Sequence, residues 1–411
     1  MLIEFSVGNY RSFKDVVTFS MVAAPIEHEN EEIDQNNIFA ATKEINLLKS
    51  TVIYGANASG KSNLIRAISF MRNFVFDSAI GKRVDNPINT EPYKLSNDLE
   101  GQTSYFEVVF LIGNIRYRYG FEVDLQTVKS EWLYQTSTNK EVKLFSREHK
   151  NIEISSKFKE GKSLENKTRR DALFLSVVSQ FDGNISIQIV TWFRQVYIIS
   201  NIDEEDEWRG LTDVLFFDKH WYQEKLVSLI TSLDLGIKDL EVVETPNTNI
   251  EGSHSRSVNT THWKYDGTGK KISLEKFDIV KEESAGTQKL YRLSGLLINL
   301  LDVGGILIID ELDARLHPLI TCAIVKLFNS FKTNLNNAQL IFTTHDANLL
   351  SYNLFRKDQI WFTEKNRYGA TDLYSLVEYK IPDNTTFEQD YIAGRYGAVP
   401  FIGDLNRVLG K

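Results

Sequence analysis

One stretch of eight residues constrains this chain more than any other: Gly55-Ala56-Asn57-Ala58-Ser59-Gly60-Lys61-Ser62. It fills every fixed position of the pattern G-x-x-x-x-G-K-[ST], a loop whose backbone N–H groups wrap around phosphate oxygens. The flanks agree. Thr51-Val52-Ile53-Tyr54 is apolar and β-branched enough for a buried strand. Asn63-Leu64-Ile65-Arg66-Ala67-Ile68-Ser69-Phe70 carries apolar residues at helical spacing. Strand, glycine loop and helix is the order that the chemistry needs, because glycines curl without a Cβ clash and the helix adds its positive end. Lys61 is expected to reach the β- and γ-phosphates and Ser62 to ligate Mg²⁺. Asn57, Ala58, Ser59, Gly60 and Asn63 are expected to line the same nucleotide.

At 411 residues the chain exceeds one small core, and two lobes are expected. No run approaches the roughly 18 apolar residues of a membrane-spanning helix. The start, Met1-Leu2-Ile3-Glu4-Phe5-Ser6-Val7, alternates like a strand and lacks the basic segment of a signal peptide. The single cysteine, Cys322, excludes an internal disulfide or a multi-cysteine zinc site, and its apolar neighbours point to a buried thiol. These observations together imply a cytoplasmic protein. A net charge of −8 gives no global attraction to nucleic acid, so contact with DNA would need a local basic patch.

Along the chain, Leu2 to Val7 and Val16 to Phe19 read as strands. Residues 26–37, with Glu27, Glu29, Glu31, Glu32 and Asp34, read as a solvated surface loop. Phe106 to Ile112, Gly113-Asn114 and Ile115 to Val123 read as a β-hairpin, which Glu131 to Gln135, Glu141 to Ser146 and Ile152 to Ser155 extend into a meander. Asp171 to Gln180, Ile185 to Ile199 and Glu224 to Leu233 read as helices. Ile237 to Val243 reads as a strand and 246–260 as a polar loop. No internal repeat or sustained heptad is visible.

Two further buried strands end in chemistry. Gly305-Ile306-Leu307-Ile308-Ile309 runs into Asp310-Glu311, and Gln339-Leu340-Ile341-Phe342 runs into Thr343-Thr344-His345. In an open parallel sheet, active groups gather at the carboxyl ends of strands. Asp310 is the expected Mg²⁺ partner, and Glu311 is placed to take a proton from an attacking water. His345 can hydrogen-bond the γ-phosphate or that water; the alternative is an ordinary turn histidine. Glu283-Ser284-Ala285-Gly286-Thr287-Gln288 opens a helix expected over Gln288 to Leu301. Ser284, Gly286 and Thr287 at a helix N-terminus make a second anion site or, equally, a plain cap.

In this order and spacing, Gly55–Ser62, Glu283–Gln288, Ile306–Glu311 and His345 resemble the phosphate loop, signature motif, Walker B strand and switch histidine of ABC-type ATPases. Asn9-Tyr10-Arg11-Ser12-Phe13 resembles the SMC/RecF branch, where this arginine lies near the nucleotide phosphates; Arg11 and Ser12 are accordingly expected to touch nucleotide. Glu311-Leu312-Asp313-Ala314-Arg315-Leu316-His317-Pro318 and Tyr391-Ile392-Ala393-Gly394-Arg395-Tyr396-Gly397-Ala398-Val399-Pro400 resemble the OLD-like, AAA-labelled ATPases of bacterial defence. The likeness covers about 1–74 and 280–411. The signature departs from the usual Ser-Gly-Gly-Gln, His317 replaces the transporter D-loop aspartate, and neither Gln102 nor Gln180 is a clear Q-loop residue.

The resemblance implies an α/β fold: an ABC-type P-loop ATPase core, a mixed sheet with helices, interrupted by an inserted α+β lobe. The implied boundaries are 1–74 and 281–375 for the core, 75–280 for the insertion and 376–411 for a tail packed on the core. It implies ATP and Mg²⁺ as ligands and a head-to-tail homodimer, open to higher assembly, with two ATP molecules sandwiched between phosphate loop and signature. Ser284 and Gly286 then act on the ATP of the other subunit. The leading functional expectation is a defence ATPase that controls an effector nuclease or toxin supplied by another chain. The alternative is a RecF-like repair ATPase using the basic residues of the insertion, among them Lys143, Arg147, Lys157 and Arg169. A nuclease within the same chain is not expected, since 66 residues follow His345.

Overall fold

The structure of the protein is a computed structural model that describes residues 1–26, 30–80, 87–137, 140–200, 205–233, 236–246, 254–380 and 386–400. Along the chain come β1 (Leu2–Gly8), β2 (Val17–Ser20), α1 (Glu31–Asn37), β3 (Ile38–Ala40), β4 (Asn46–Leu48), β5 (Ser50–Tyr54) and α2 (Lys61–Asp77). The meander comes next as β6 (Ser104–Ile112), β7 (Ile115–Val123), β8 (Val128–Thr136), β9 (Glu141–Glu148) and β10 (Asn151–Ile154). After it lie α3 (Phe174–Gln180), α4 (Asn184–Arg194), β11 (Val196–Ile199), α5 (Glu205–Asp218), α6 (His220–Ser232), β12 (Asp239–Pro246), β13 (His254–Tyr265) and β14 (Lys271–Asp278). The remainder is α7 (Ala285–Val303), β15 (Ile306–Ile309), α8 (Pro318–Asn329), β16 (Gln339–Thr343), β17 (Ile360–Lys365), β18 (Thr371–Ser375) and α9 (Phe387–Ile392).

These elements form two compact units. The first holds Met1–Ser200, Gly304–Leu312 and Val325–Lys411; the second holds Asn201–Val303 and Asp313–Ile324. Of the stretch 75–280 set apart as one insertion, 75–200 therefore lies in the first unit and 201–280 in the second. The reason is pairing: β6 lies antiparallel to β1, so the meander joins β1 and β2 in a seven-stranded sheet ordered β10-β9-β8-β7-β6-β1-β2.

The first unit also contains a six-stranded sheet, ordered β11-β15-β16-β5-β17-β18. Its first five strands are mutually parallel and only β18 runs against its neighbour. All residues of β5, β15 and β16 are buried, as expected of parallel strands covered on both faces. Aromatic rings fill the space between the meander and the helices: Phe106 lies 4.8 Å from Phe70 and 5.4 Å from Phe121, and Phe110 stacks on Trp192 at 4.1 Å. Cys322 is buried, as its neighbours imply.

Three sequence expectations change here. Val196–Ile199, read as the end of a helix, is β11, paired in parallel with β15. A short apolar run does not separate helix from strand by periodicity, and the buried partner strand decides. Residues 31–37, read as loop, form α1; Asn30 caps it by accepting from the Glu32 N–H, and the acidic first turn meets the positive helix end. Residues 27–29 of that loop lie outside the described residues. Residues 254–260, read as polar loop, belong to β13, whose backbone groups are taken up by β12 and β14 on either side. Residues 247–253 of that loop, and 381–385 and 401–411 of the tail, are likewise outside the described residues.

The second unit packs α5, α6 and α7 with the sheet β12-β13-β14. Leu226, Ile230, Val258 and Leu290 are in its core, and the Tyr291 hydroxyl donates to Asp213 at 2.7 Å. The Ser284 turn opens α7 three residues earlier than the apolar spacing suggests, at Ala285.

Candidate functional site

The carboxyl ends of β15, β16, β5 and β17 lie side by side, because these strands are parallel neighbours. The residues that succeed each strand therefore meet at one sheet edge. A cleft of about 460 Å³ opens there, lined by Asn57, Ala58, Ser59, Gly60, Lys61, Ser62, Asn63, Arg66, Glu311, His345 and Lys365. Three chain segments far apart in sequence thus deliver Lys61, Glu311 and His345 to one opening.

The loop between β5 and α2 has the backbone that its glycines permit. Gly60 sits at φ 123°, and a Cβ on it would come within 2.4 Å of the Thr371 Oγ1 atom. Thr371 crosses this position to donate to the Ser59 carbonyl at 2.7 Å. Ala58 is also left-handed, at φ 62°. The Ser59 hydroxyl pairs with Thr363 at 2.6 Å, which ties the loop to β17. The Lys61 Nζ atom is buried and donates to the Gly55 carbonyl at 2.7 Å and to the Ala56 carbonyl at 3.2 Å. The ammonium is thus held over the loop by neutral acceptors, which an anionic oxygen would outcompete.

Thr343, which no sequence pattern singles out, organises the acidic pair. Its buried hydroxyl donates to Asp310 Oδ1 at 2.6 Å and accepts from the Glu311 N–H at 2.7 Å. Glu311 turns left-handed at φ 53°, which carries its side chain off the line of β15. Its carboxylate stands 3.7 Å from His345 Nε2, and both side chains are well exposed. A water could be held between a carboxylate and an imidazole at this spacing. Arg66 and Lys365 complete the electropositive lining. Neither residue is assigned a role from the sequence alone: Arg66 lies within the predicted helix, and Lys365 needs the strand order, which puts the end of β17 beside β5.

The fit to Mg²⁺ is that of a shared site. Among the described residues no three His, Cys, Asp or Glu side chains gather into a cage. Ser62 lines the cleft and Asp310 directly follows β15; a Mg²⁺ held by two such groups would take its other ligands from phosphates and water.

Arg11 and Ser12 are not part of this lining. Ser12 is buried and braces it: its hydroxyl accepts from Asn63 Nδ2 at 2.7 Å and pairs with the Thr371 hydroxyl at 2.8 Å. The Arg11 guanidinium pairs with Glu91 and borders a separate cleft of about 340 Å³, which Arg66 also lines. The positive φ of Arg11, 51°, and the hydrogen bond from its N–H to the Glu91 carbonyl at 2.6 Å set that direction.

Ser284, Gly286 and Thr287 lie in the second unit. The Ser284 hydroxyl caps α7, accepting from the Thr287 N–H at 3.2 Å and pairing with the Thr287 hydroxyl at 2.9 Å. A Cβ on Gly286 would lie 2.7 Å from the Arg315 carbonyl oxygen, so only glycine fits there. Ser284 itself is exposed.

Residues 50–351 match the family model described as "AAA domain, putative AbiEii toxin, Type IV TA system". No curated protein matches the chain. Among solved structures, the Smc head bound to the C-terminal winged-helix domain of ScpA is 12% identical with a TM-score of 0.48, over 94% of this chain and 99% of that one. The SMC head domain from Thermotoga maritima is 15% identical with a TM-score of 0.42, over 92% and 99%. The Smc head domain from Pyrococcus furiosus, with an extended coiled coil and bound to the C-terminal domain of ScpA, is 11% identical with a TM-score of 0.40, over 96% and 98%.

Proposed function

The chain belongs to the AAA-domain family carrying the AbiEii, type IV toxin–antitoxin description, and from that premise we propose that it is an ATPase working as a conformational switch. The observation that carries this reading is the convergence of Lys61, Glu311 and His345 on one cleft beside a complete phosphate loop. Lys61 exchanges its two loop carbonyls for the β- and γ-phosphates. Glu311 accepts the proton of the attacking water, and His345 hydrogen-bonds that water or the γ-phosphate. Ser62 and Asp310 would hold Mg²⁺, which when bound would neutralise charge at the phosphates.

The exposed Ser284 turn serves the ATP bound by a second copy of the chain. ATP closes this homodimer and hydrolysis opens it. The motion governs an effector nuclease or toxin in trans, in cytoplasmic anti-phage defence; the family description supports that setting. Among the described residues no helix is long and apolar enough to cross a membrane. The DNA-repair alternative loses weight because several of its basic residues are committed elsewhere. Arg147 is buried against the Ala172 carbonyl at 2.6 Å, Lys143 pairs with Glu153, and Arg169 pairs with Asp171.

Ser284→Arg tests the switch. The variant should bind ATP as a monomer with near wild-type affinity by calorimetry, yet light scattering should show no ATP-induced dimer. Mixed with Lys61→Ala chains, it should recover one trapped nucleotide per heterodimer. An ATP-dependent dimer of the Ser284→Arg protein alone would remove the signature turn from the interface.

A further inference from the structure

The chain-terminal motif Tyr391 to Pro400 has no role in the nucleotide reading, yet it packs directly behind the cleft. Its own architecture is rigid. The Asp390 carboxylate accepts from Arg395 at 2.6 Å and from the Tyr396 hydroxyl at 3.0 Å. The Tyr396 carbonyl accepts from the Tyr374 and Tyr379 hydroxyls at 2.8 and 3.2 Å. Gly397 lies at φ 67°, where a Cβ would meet the Glu364 carboxylate at 2.5 Å. This framework fixes the Tyr391 ring, which stacks on Phe362 at 5.6 Å and lies 5.3 Å from the ring of Tyr54. Burial raises the pKa of the Tyr391 hydroxyl, opposed in part by a hydrogen bond from the backbone of Gly55, the first residue of the phosphate loop.

Tyr54 carries the contact onward. Its side chain is fully buried, and its hydroxyl donates to the Asp346 carbonyl at 3.1 Å. Asp346 directly follows His345. Its N–H donates to the Thr344 hydroxyl at 2.9 Å, and its carboxylate accepts from the Asn348 N–H at 3.0 Å. The turn bearing His345 is therefore held from its own side by local bonds and from the sheet side by Tyr54.

We propose that Tyr54 and Tyr391 are positioning residues for His345: Tyr54 holds the Asp346 carbonyl, and the tail, through Tyr391, holds Tyr54. This rests on the ATPase reading for its catalytic consequence but not for its structural one. A partner that drew the tail off would loosen His345 and slow hydrolysis without touching the phosphate loop's lysine.

Tyr54→Phe removes the hydroxyl and keeps the ring. Three measurements are compared with wild type: kcat for ATP, ATP affinity by calorimetry, and amide hydrogen exchange over 345–351 without nucleotide. Exchange should quicken and kcat should fall, each by about tenfold, with affinity within about twofold. Unchanged exchange, or quicker exchange with wild-type kcat, overturns the proposal. If wild type itself does not hydrolyse ATP, the ATPase reading fails, and the exchange comparison alone supports or overturns the brace. Tyr391→Leu should reproduce the quicker exchange over 345–351; a wild-type rate there overturns the part given to the tail. Should that variant not fold, Tyr391→Phe, which loses the hydroxyl bond to the Ala398 carbonyl, replaces it with the same expected direction.

Discussion

In the six-stranded sheet, β5, β15 and β16 are buried at every residue, whereas β6 of the meander alternates buried and half-buried residues along most of its length. Each sheet places an acid next to a base. In the meander, Glu131 is fully buried, accepts from the Phe174 and Leu175 N–H groups at 2.6 and 3.0 Å, and faces Arg147 at 3.8 Å. At the edge of the parallel sheet, Glu311 and His345 stand exposed at strand ends, 3.7 Å apart. The difference comes from geometry. An antiparallel strand hands its chain to the next strand through a turn, so a charge within it must be neutralised where it lies. Parallel strands all finish at the same edge, so the residues after them converge and remain accessible. The meander's charges should therefore govern stability, and the edge charges should govern nucleotide chemistry.

Lys61→Ala should produce the largest effect. ATP binding should be abolished by calorimetry, and turnover with it, with urea stability preserved. Binding at the wild-type level would break the assignment of the loop. Glu311→Gln should still bind ATP but turn over about 10³-fold more slowly, since an amide cannot take the water's proton. Normal phosphate release from that protein would remove Glu311 from the reaction.

Glu131→Gln inverts the pattern. It replaces one of the two oxygens that accept from the Phe174 and Leu175 N–H groups by an amide NH2, which sets a buried donor against a donor, and should cost about 2 kcal/mol of unfolding free energy, while ATP affinity stays put. The pH dependence sharpens this. Burial raises the pKa of Glu131, so the folded protein holds that proton to higher pH than the unfolded chain does. The group's contribution therefore favours folding more as pH falls from the raised value towards the ordinary carboxylate range. Urea titrations upward from the ordinary carboxylate range should show less loss of stability with rising pH in Glu131→Gln than in wild type. The smallest effect belongs to Gly113→Ala in the β6–β7 turn. Gly113 lies at φ 57° with open space around its Cβ position, so the cost is conformational alone, about 1 kcal/mol. A loss of ATP binding in either of these two meander variants would undo the separation of the sheets.

Much of this arrangement is legible locally. The phosphate loop, the Gly113-Asn114 hairpin and the two apolar strands that end in acid or histidine each announce themselves within about ten residues, because glycine conformation and strand burial are properties of short segments. Other parts are not legible in this way. Val196–Ile199 looks like a helix end until β15 lies beside it. The 254–260 run looks like loop until β12 and β14 cover both its edges. Arg11 sits in a segment that suggests phosphate contact, yet Glu91, 80 residues on, holds it in the neighbouring cleft.

By itself the sequence determined which groups are the candidates for the proposed chemistry: a lysine and a serine after a glycine loop, an aspartate and a glutamate after one strand, a histidine after another. Only the tertiary structure decided that Thr343 ties Asp310 to Glu311, that Lys365 and Arg66 share the cleft, and that Tyr391 of the tail presses on Tyr54 behind it. The physical reason is one of range. A loop's capacity to cradle phosphate resides in its own dihedral angles and amides, whereas strand order and side-chain neighbours depend on burying apolar surface contributed by segments hundreds of residues apart, which no local pattern records.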